Sequence, residues 1–168
     1  MTAPVRAGTF VLETTVNGAP VSLAVEPGEF LLDVLRDRLG LRGTKRSCDL
    51  QVCGACTVLL DGMPVSACTL LAYEARGRRV ETIEGLARDG RLHPVQEAFL
   101  EESAFQCGFC TPGMILAVKA LLDHEPDPTP ETTRAWLRGN ICRCTGYVNI
   151  LHAVATARRL AAGRPEAS

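Results

Sequence analysis

The stretch that decides the fold is residues 42–56, RGTKRSCDLQVCGAC, which carries three cysteines on one short segment. They follow a C-x4-C-x2-C pattern at Cys48, Cys53 and Cys56, and Cys68 follows after eleven further residues. Three thiolates on one loop, with a fourth supplied from further along the chain, is the ligand spacing of plant-type [2Fe–2S] clusters. We therefore expect these four cysteines to bind one such cluster.

A second set of four cysteines lies downstream as two close pairs, Cys107 with Cys110 and Cys142 with Cys144. A single residue separates the last two, so both thiolates can face one way only where the backbone is irregular, and glycines flank that segment. The spacing leaves two kinds of site open, a second redox cluster or a structural zinc site with four thiolates. Tetrahedral zinc usually takes C-x2-C pairs at both ends, which favours the cluster.

The bulk composition excludes several classes of function. Eighteen basic and nineteen acidic residues leave a net charge of −1, which argues against bulk attraction to nucleic acid or to an anionic membrane. No segment approaches the roughly 20 apolar residues of a membrane span, and the first residues lack the apolar core of a secretory signal. We expect a cytoplasmic protein, where clustered cysteines more often bind metal than form disulfides.

The first half of the chain alternates between strand and helix patterns. Strand periodicity, a helical stripe and two hairpin turns predict strands at 10–16 and 21–25, a helix at 30–39 and a strand at 57–60. This is a small mixed sheet that carries one helix. The polar segment 73–79 marks the expected domain boundary, and 80–83 reads as a short extended connector.

The second half is helical. Pro94 opens one predicted helix, and the Thr111-Pro112 and Thr129-Pro130 pairs each read as an N-cap followed by proline at the first helical position. Asn149 is the expected cap of a last helix. Four helices with short connections indicate a compact bundle, followed by a flexible tail over 163–168.

Around the cysteines the resemblance to a known family becomes close. The chain reads CGACTV over 53–58, QCGFCTPG over 106–113 and GNICRCTGY over 139–147. These motifs, together with Cys48, resemble the iron–sulfur subunit of molybdenum hydroxylases, the family of xanthine dehydrogenase, aldehyde oxidoreductase and carbon monoxide dehydrogenase. The resemblance extends over roughly residues 8 to 160.

The resemblance implies an α+β fold with two domains. A plant-ferredoxin-like (β-grasp) domain at 8–78 would precede a four-helix [2Fe–2S]-binding bundle at 79–162. The implied ligands of the second [2Fe–2S] cluster are Cys107, Cys110, Cys142 and Cys144. In this family the cluster of the helical domain lies nearer the molybdenum, and the cluster of the ferredoxin domain lies nearer the flavin.

The same resemblance implies partners and a role. A large subunit would hold molybdopterin, often as a cytosine dinucleotide in bacteria, and a medium subunit would hold FAD, in a dimer of heterotrimers. Substrate would be hydroxylated in the large subunit. This chain would be the electron-transfer subunit of that oxidoreductase, with no substrate site of its own. The alternative is a free-standing two-cluster ferredoxin that supplies electrons to unrelated enzymes.

Three further residues carry expectations. Gln106 and Cys144 match family residues that contact the pterin, although on the residues alone Gln106 reads as a loop-to-backbone hydrogen bond. Relatives usually carry glycine where this chain has Ser47 and Gln51. Gln51 must therefore either accept a left-handed conformation or belong to an altered loop.

Overall fold

The computed structural model describes residues 8–163, which form five strands and five α-helices together with short 3-10 and π-helical turns. The strands are β1 (Phe10–Val16), β2 (Ala19–Val25), β3 (Thr57–Leu60), β4 (Met63–Ser66) and β5 (Arg79–Glu81). The helices are α1 (Leu31–Asp33), which continues as a π-helical turn over Val34–Arg38, α2 (Pro94–Glu101), α3 (Thr111–His124), α4 (Pro130–Trp136) and α5 (Val148–Ala162). The expected signal-free start and most of the expected tail at 163–168 lie outside the described residues.

The strands form one mixed sheet in the order β2-β1-β5-β3-β4. β1 is antiparallel to β2 and parallel to β5, while β3 is antiparallel to both β4 and β5. Both predicted hairpins are present, because left-handed Asn17-Gly18 and Asp61-Gly62 turns join β1 to β2 and β3 to β4. The predicted combination of a mixed sheet with helices is confirmed.

The central strand β5 corrects one expectation. The segment 80–83 was expected to be a connector, but Val80 and Glu81 belong to β5, between β1 and β3. The Asn17 N–H donates to the Val80 carbonyl, with 2.9 Å between the heavy atoms. A strand of three residues with one buried side chain shows no alternation in the sequence, so it resembles a linker.

Two hydrophobic cores meet at β3, whose residues are all buried. Val58 and Leu60 join the core between the sheet and α1, together with Leu32 and Leu35. Leu59 points the other way and joins the core that α2, α3 and α5 build. Because successive side chains of a strand face opposite sides, this one short strand packs against both halves of the chain.

Two helices, α3 and α5, begin close to the cysteine segments, so their first residues set where those segments lie. α2 begins at Pro94 as predicted, and Thr129 caps α4 by accepting the Thr132 N–H. Two predicted caps are wrong: α3 already includes Thr111, with Cys110 at the cap position, and Asn149 lies inside α5. α3 thus begins directly after Cys110, and α5 begins four residues after Cys144. None of the helices in residues 8–163 is both long and apolar enough to cross a membrane.

Candidate metal centres

The first cysteine loop is curled by residues in left-handed conformations. Asp49 (φ 53°), Gln51 (φ 58°) and Gly54 (φ 68°) alternate with residues of ordinary φ. The loop therefore wraps around one sulfur: the N–H groups of Leu50 and Cys53 lie 3.4 and 3.5 Å from Cys48 Sγ. Of the two alternatives for Gln51, the structure shows the left-handed conformation.

These N–H groups lower the pKa of the Cys48 thiol. Hydrogen bonds from the backbone of Leu50, Cys53 and Val52 lower the pKa of the Cys48 thiol to about 6, because they stabilise the thiolate. Burial has the opposite effect on Cys56, whose pKa rises to about 12. One sulfur of the first set is thus an anion at neutral pH, while another loses its proton only when a cation binds.

The second set is assembled from two distant segments. The Sγ atoms of Cys107 and Cys144 lie 3.7 Å apart. Cys142 is held by its neighbours, since its N–H donates to the Tyr147 hydroxyl at 2.9 Å, and Thr145 approaches its sulfur with both its hydroxyl and its N–H. The irregular backbone expected around the C-x-C segment is present, with Tyr147 left-handed at φ 68°.

Burial and hydrogen bonding also separate the thiols of the second set. Burial raises the pKa of Cys110 to about 12, and the neighbouring Cys142 contributes in the same direction. Burial also acts to raise the pKa of Cys142, but hydrogen bonds from the hydroxyl and N–H of Thr145, from the Cys144 backbone and from Cys110 together lower it. The pKa of the exposed Cys144 is raised by its contact with Cys107.

The eight sulfurs interact in pairs. All eight cysteines are free thiols, and each set has one more accessible pair and one more buried pair. We call the accessible ones the outer pairs, Cys48 with Cys53 and Cys107 with Cys144. The inner pairs are Cys56 with Cys68 and Cys110 with Cys142.

Paired thiols fit a dinuclear cluster, in which each of two irons takes two protein ligands. In residues 8–163, no three Cys, His, Asp or Glu side chains are grouped as ligands of one ion. The buried side-chain oxygens without a hydrogen-bond partner in that same range are the hydroxyls of Thr44 and Thr111. They lie in the two ligand segments, and Thr111 directly follows Cys110, as expected where a polar inorganic group completes the site. The residues present therefore fit [2Fe–2S] clusters.

The two ligand loops touch each other directly. The Ile141 N–H donates to the carbonyl of Cys53 at 2.9 Å. The buried Asn140 amide donates to the Gly54 carbonyl at 3.2 Å and to Thr57 Oγ1 at 3.1 Å. A Cβ at Gly54 would lie 2.3 Å from the carbonyl oxygen of the neighbouring Gly139, so only glycine permits this approach.

Gln106 and Cys144 are brought together. The Gln106 side-chain amide donates to the Cys144 carbonyl at 3.1 Å, which is the loop-to-backbone bond that the residues alone suggested. Both residues are exposed, next to the exposed Cys107. The bond orients the amide beside the outer pair of the second set, at the surface.

Apolar side chains surround both outer pairs. Leu50 and Val52 are 73% and 55% exposed on the first loop, and Phe105, Phe109 and Ile141 are exposed around the second set. Beside the second set, Phe105 also borders an open groove of about 340 Å³ whose lining is mostly apolar. Exposed apolar surface of this kind is typical of protein interfaces.

Sequence reasoning missed the residues that join and support the sites. Asn140, Thr145 and Tyr147 lie in the GNICRCTGY motif, but their side chains were assigned no role. Thr57 was predicted only as a strand residue. A signal was present for Thr145, a hydroxyl residue directly after the C-x-C pair, because ligand sulfurs need hydrogen-bond donors.

Comparison with known proteins agrees with these sites. A family model described as "2Fe-2S iron-sulfur cluster binding domain" matches residues 14–86, and one described as "[2Fe-2S] binding domain" matches residues 82–155. The beta subunit of the 6-hydroxypseudooxynicotine dehydrogenase complex of Paenarthrobacter nicotinovorans is 51% identical over 150 residues, which cover 88% of this chain and 93% of that protein.

Two further similarities cover most of both chains. The xanthine dehydrogenase iron-sulfur-binding subunit of Escherichia coli is 45% identical over 148 residues, 87% of this chain and 92% of that protein. A chain in the crystal structure of quinoline 2-oxidoreductase from Pseudomonas putida 86 superposes with a TM-score of 0.87 at 40% identity. The match covers 95% of this chain and 100% of that chain.

Proposed function

Because the chain belongs to the iron–sulfur small subunits of the molybdenum hydroxylase family, we propose a task for each group of residues around its two clusters. The chain is the electron-transfer subunit of an oxidoreductase complex, between the molybdopterin centre of a larger subunit and FAD or another acceptor. The proposed ligands are Cys48, Cys53, Cys56 and Cys68 for the first cluster and Cys107, Cys110, Cys142 and Cys144 for the second. The pairing of the thiols into an outer and an inner pair at each site carries this assignment.

When bound, each [2Fe–2S] cluster accepts and releases one electron. The residues of this chain set the conditions under which that happens. Cys56, Cys68 and Cys142 of the inner pairs are buried and Cys110 is half-buried, so the inner pairs limit the access of water to one side of each site. The outer pairs are more accessible. Backbone N–H groups around Cys48 and the Thr145 hydroxyl beside Cys142 stabilise negative charge on the sulfurs.

We propose the domain division 8–78 and 79–162. The sheet with α1 would be the plant-ferredoxin-like (β-grasp) domain, and α2 to α5 would form the four-helix [2Fe–2S]-binding bundle of the family. β5 lies at the start of the proposed second domain, but it pairs with strands of the first domain's sheet. The two units are thereby tied by a strand as well as by the contact between ligand loops.

The proposed orientation places the second cluster at the electron entry. Gln106 and Cys144 lie at its outer pair, where a pterin from the large subunit could meet the amide. The cofactor there would be a molybdopterin cytosine dinucleotide. The first cluster, with Leu50 and Val52 exposed beside it, would face a medium FAD subunit. The full assembly would be a dimer of heterotrimers in the cytoplasm, where thiols stay reduced.

Order of reduction tests the proposed orientation. Purified complex is mixed with its substrate and freeze-quenched, and the EPR signals of the two clusters are followed in time. The signal assigned to the second cluster through the Cys144→Ser variant should appear before that of the first. The reverse order would contradict the orientation while leaving the ligand assignment intact.

Purification separates the subunit from the alternative of a free-standing ferredoxin. The tagged chain, isolated from its own host, should co-purify with a much larger molybdenum-containing polypeptide. A monomer that carries both clusters and no molybdenum-containing partner would favour the ferredoxin. The exposed apolar residues around both outer pairs favour the subunit.

A further inference from the structure

The hydroxyl of Thr145 makes a hydrogen bond to a ligand sulfur. Its Oγ1 lies 3.1 Å from Cys142 Sγ, and its N–H lies 3.4 Å from the same atom. Cys142 is buried, so few water molecules can replace these donors. The first cysteine loop offers Cys48 backbone N–H donors of the same kind.

The direction of this bond follows from the network around it. Thr145 Oγ1 accepts the N–H of Tyr147 at 3.2 Å, so its lone pairs already have a donor. An iron-bound Cys142 is a thiolate and has no proton to give. The hydroxyl proton of Thr145 must therefore point at the sulfur.

We propose that Thr145 is a positioning residue that raises the reduction potential of the second cluster through Cys142. The inference rests on the proposed role of Cys142 as a ligand. Reduction adds one negative charge to the cluster without making or breaking a covalent bond, and part of that charge resides on the thiolate sulfurs. A hydrogen bond to the sulfur becomes stronger as the sulfur becomes more negative, so it stabilises the reduced form more than the oxidised form.

The test is an EPR-monitored redox titration of the purified complex, with dithionite as the electron donor. Thr145→Val keeps the shape of the side chain and removes the hydroxyl. At a fixed ambient potential near the midpoint, the ratio of reduced to oxidised second cluster should fall about tenfold, equivalent to a midpoint about 59 mV lower for one electron. Thr145→Ser retains the hydroxyl and should stay within about threefold of the wild type.

Two controls separate this role from a structural one. The first cluster in the same sample serves as an internal reference, and its midpoint should not move. Tyr147→Phe removes another hydroxyl of the same network, one that bonds to backbone groups of Cys142 and Asn140 and not to sulfur. It should shift the second cluster by less than about twofold in the same ratio.

Several outcomes would overturn the inference. They are an unshifted midpoint in Thr145→Val, an equal shift in Thr145→Ser or Tyr147→Phe, or an equal shift of both clusters. If Thr145→Val loses the second signal, Thr145→Ala is titrated instead, and loss of the signal in both would show that Thr145 has only a structural role. A wild-type complex without two cluster signals would refute the proposed function itself, whereas two normal signals with no shift would refute only this inference.

Discussion

The two cysteine sets reach the same arrangement with different means. In the first set the ligand loop is short and continuous, and left-handed residues turn its own N–H groups toward Cys48. In the second set the ligands come from two distant segments, and side chains add to the backbone. Tyr147 holds the Cys142 backbone, and Thr145 approaches the Cys142 sulfur with its hydroxyl as well as its N–H. Both sets end with one outer and one inner pair of thiols.

The sequence separation between the cysteines determines which groups hold them in place. A C-x4-C-x2-C loop is short enough for its own backbone N–H groups to reach a ligand sulfur. Such a loop therefore needs particular backbone conformations and not particular side-chain donors. Two segments more than thirty residues apart share no such loop, and the Gln106 side chain joins them by donating to the Cys144 carbonyl. Residues next to the first set also stabilise the second, because the Asn140 amide donates to the Gly54 carbonyl and to the Thr57 hydroxyl.

The largest effect is expected for a variant that breaks the contact between the two cysteine loops. Gly54→Ala places a Cβ 2.3 Å from the Gly139 carbonyl oxygen in a residue with φ 68°. Overpacking against backbone and left-handed strain together should lower the free energy of unfolding by about 4 kcal/mol. Iron analysis should also show partial loss of the second cluster, because the displaced segment leads into Cys142. Chemical denaturation and iron content check both results.

A matched variant isolates the clash. Gly62 has φ 84° in the β3–β4 turn, with no atom within 4 Å of an added Cβ. Gly62→Ala should therefore show only the left-handed strain, about 1–2 kcal/mol, with full iron content. Equal losses for the two variants would show that the close approach of the loops has no energetic weight.

A smaller effect is expected when the anchor itself is removed. Asn140→Ala removes the donor of the Thr57 hydroxyl and one of two donors of the buried Gly54 carbonyl, which keeps the Thr57 N–H at 3.1 Å. The variant should lower the unfolding free energy by about 2 kcal/mol. The control is Asn149→Ala, because Asn149 is exposed and makes one long bond to the Ser103 carbonyl. That variant should change stability by less than about 0.5 kcal/mol, and a similar loss in both would contradict the anchoring role.

The sequence predicted the local features of this fold well, because they depend on neighbouring residues. The alternation in β1, the Asn17-Gly18 turn and the Thr129 cap are all set within a few positions. The close grouping of each cysteine set was likewise expected from spacing. What the sequence could not predict depends on partners far along the chain.

Three examples show where that limit lies. β5 was taken for a linker because only pairing with β1 and β3 makes it a strand. Asn149 is a residue type that often caps helices, but the left-handed Tyr147 occupies the cap position of α5, two residues earlier. No local pattern marks the role of Asn140, since both acceptors of its side-chain amide lie more than 80 residues away.

Thiol alkylation compares Cys48, whose sulfur accepts backbone N–H groups, with Cys144 of the second set. In the iron-free chain, with its fold checked by circular dichroism, the Cys48 pKa of about 6 leaves about nine-tenths of this thiol ionised at pH 7. Cys144 is more exposed, but its pKa is raised above its ordinary value of 9.0 by contact with Cys107. Iodoacetamide should therefore modify Cys48 at least about tenfold faster at pH 7.

The pH profile provides the control for exposure. The rate at Cys48 should rise through about pH 6 and then level off, because the thiolate is fully formed above its pKa. The rate at Cys144 should still rise above pH 9. Mass spectrometry of the modified peptides measures both rates, and faster reaction at Cys144 at pH 7 would mean that accessibility outweighs the backbone donors.

The smallest effect is expected for the left-handed residues of the first loop. Gln51 is left-handed at φ 58°, so Gln51→Gly should relieve strain and raise the unfolding free energy by up to about 1 kcal/mol. The gain is reduced by the lost contact between Gln51 and Thr69. Asp49→Gly is the comparison, because Asp49 is also left-handed but pairs with Arg46, so it should gain less. Destabilisation by Gln51→Gly in thermal unfolding would contradict this interpretation of the loop.

The central claim is that the eight thiols form two dinuclear sites, each with an outer and an inner pair. Iron and acid-labile sulfide analysis of the anaerobically purified chain, combined with EPR of its reduced form, tests this most directly. We predict about four iron and about four sulfide per chain and two distinguishable signals of one spin each. Stoichiometric zinc without charge-transfer absorption, or about two iron with a single signal, would contradict it.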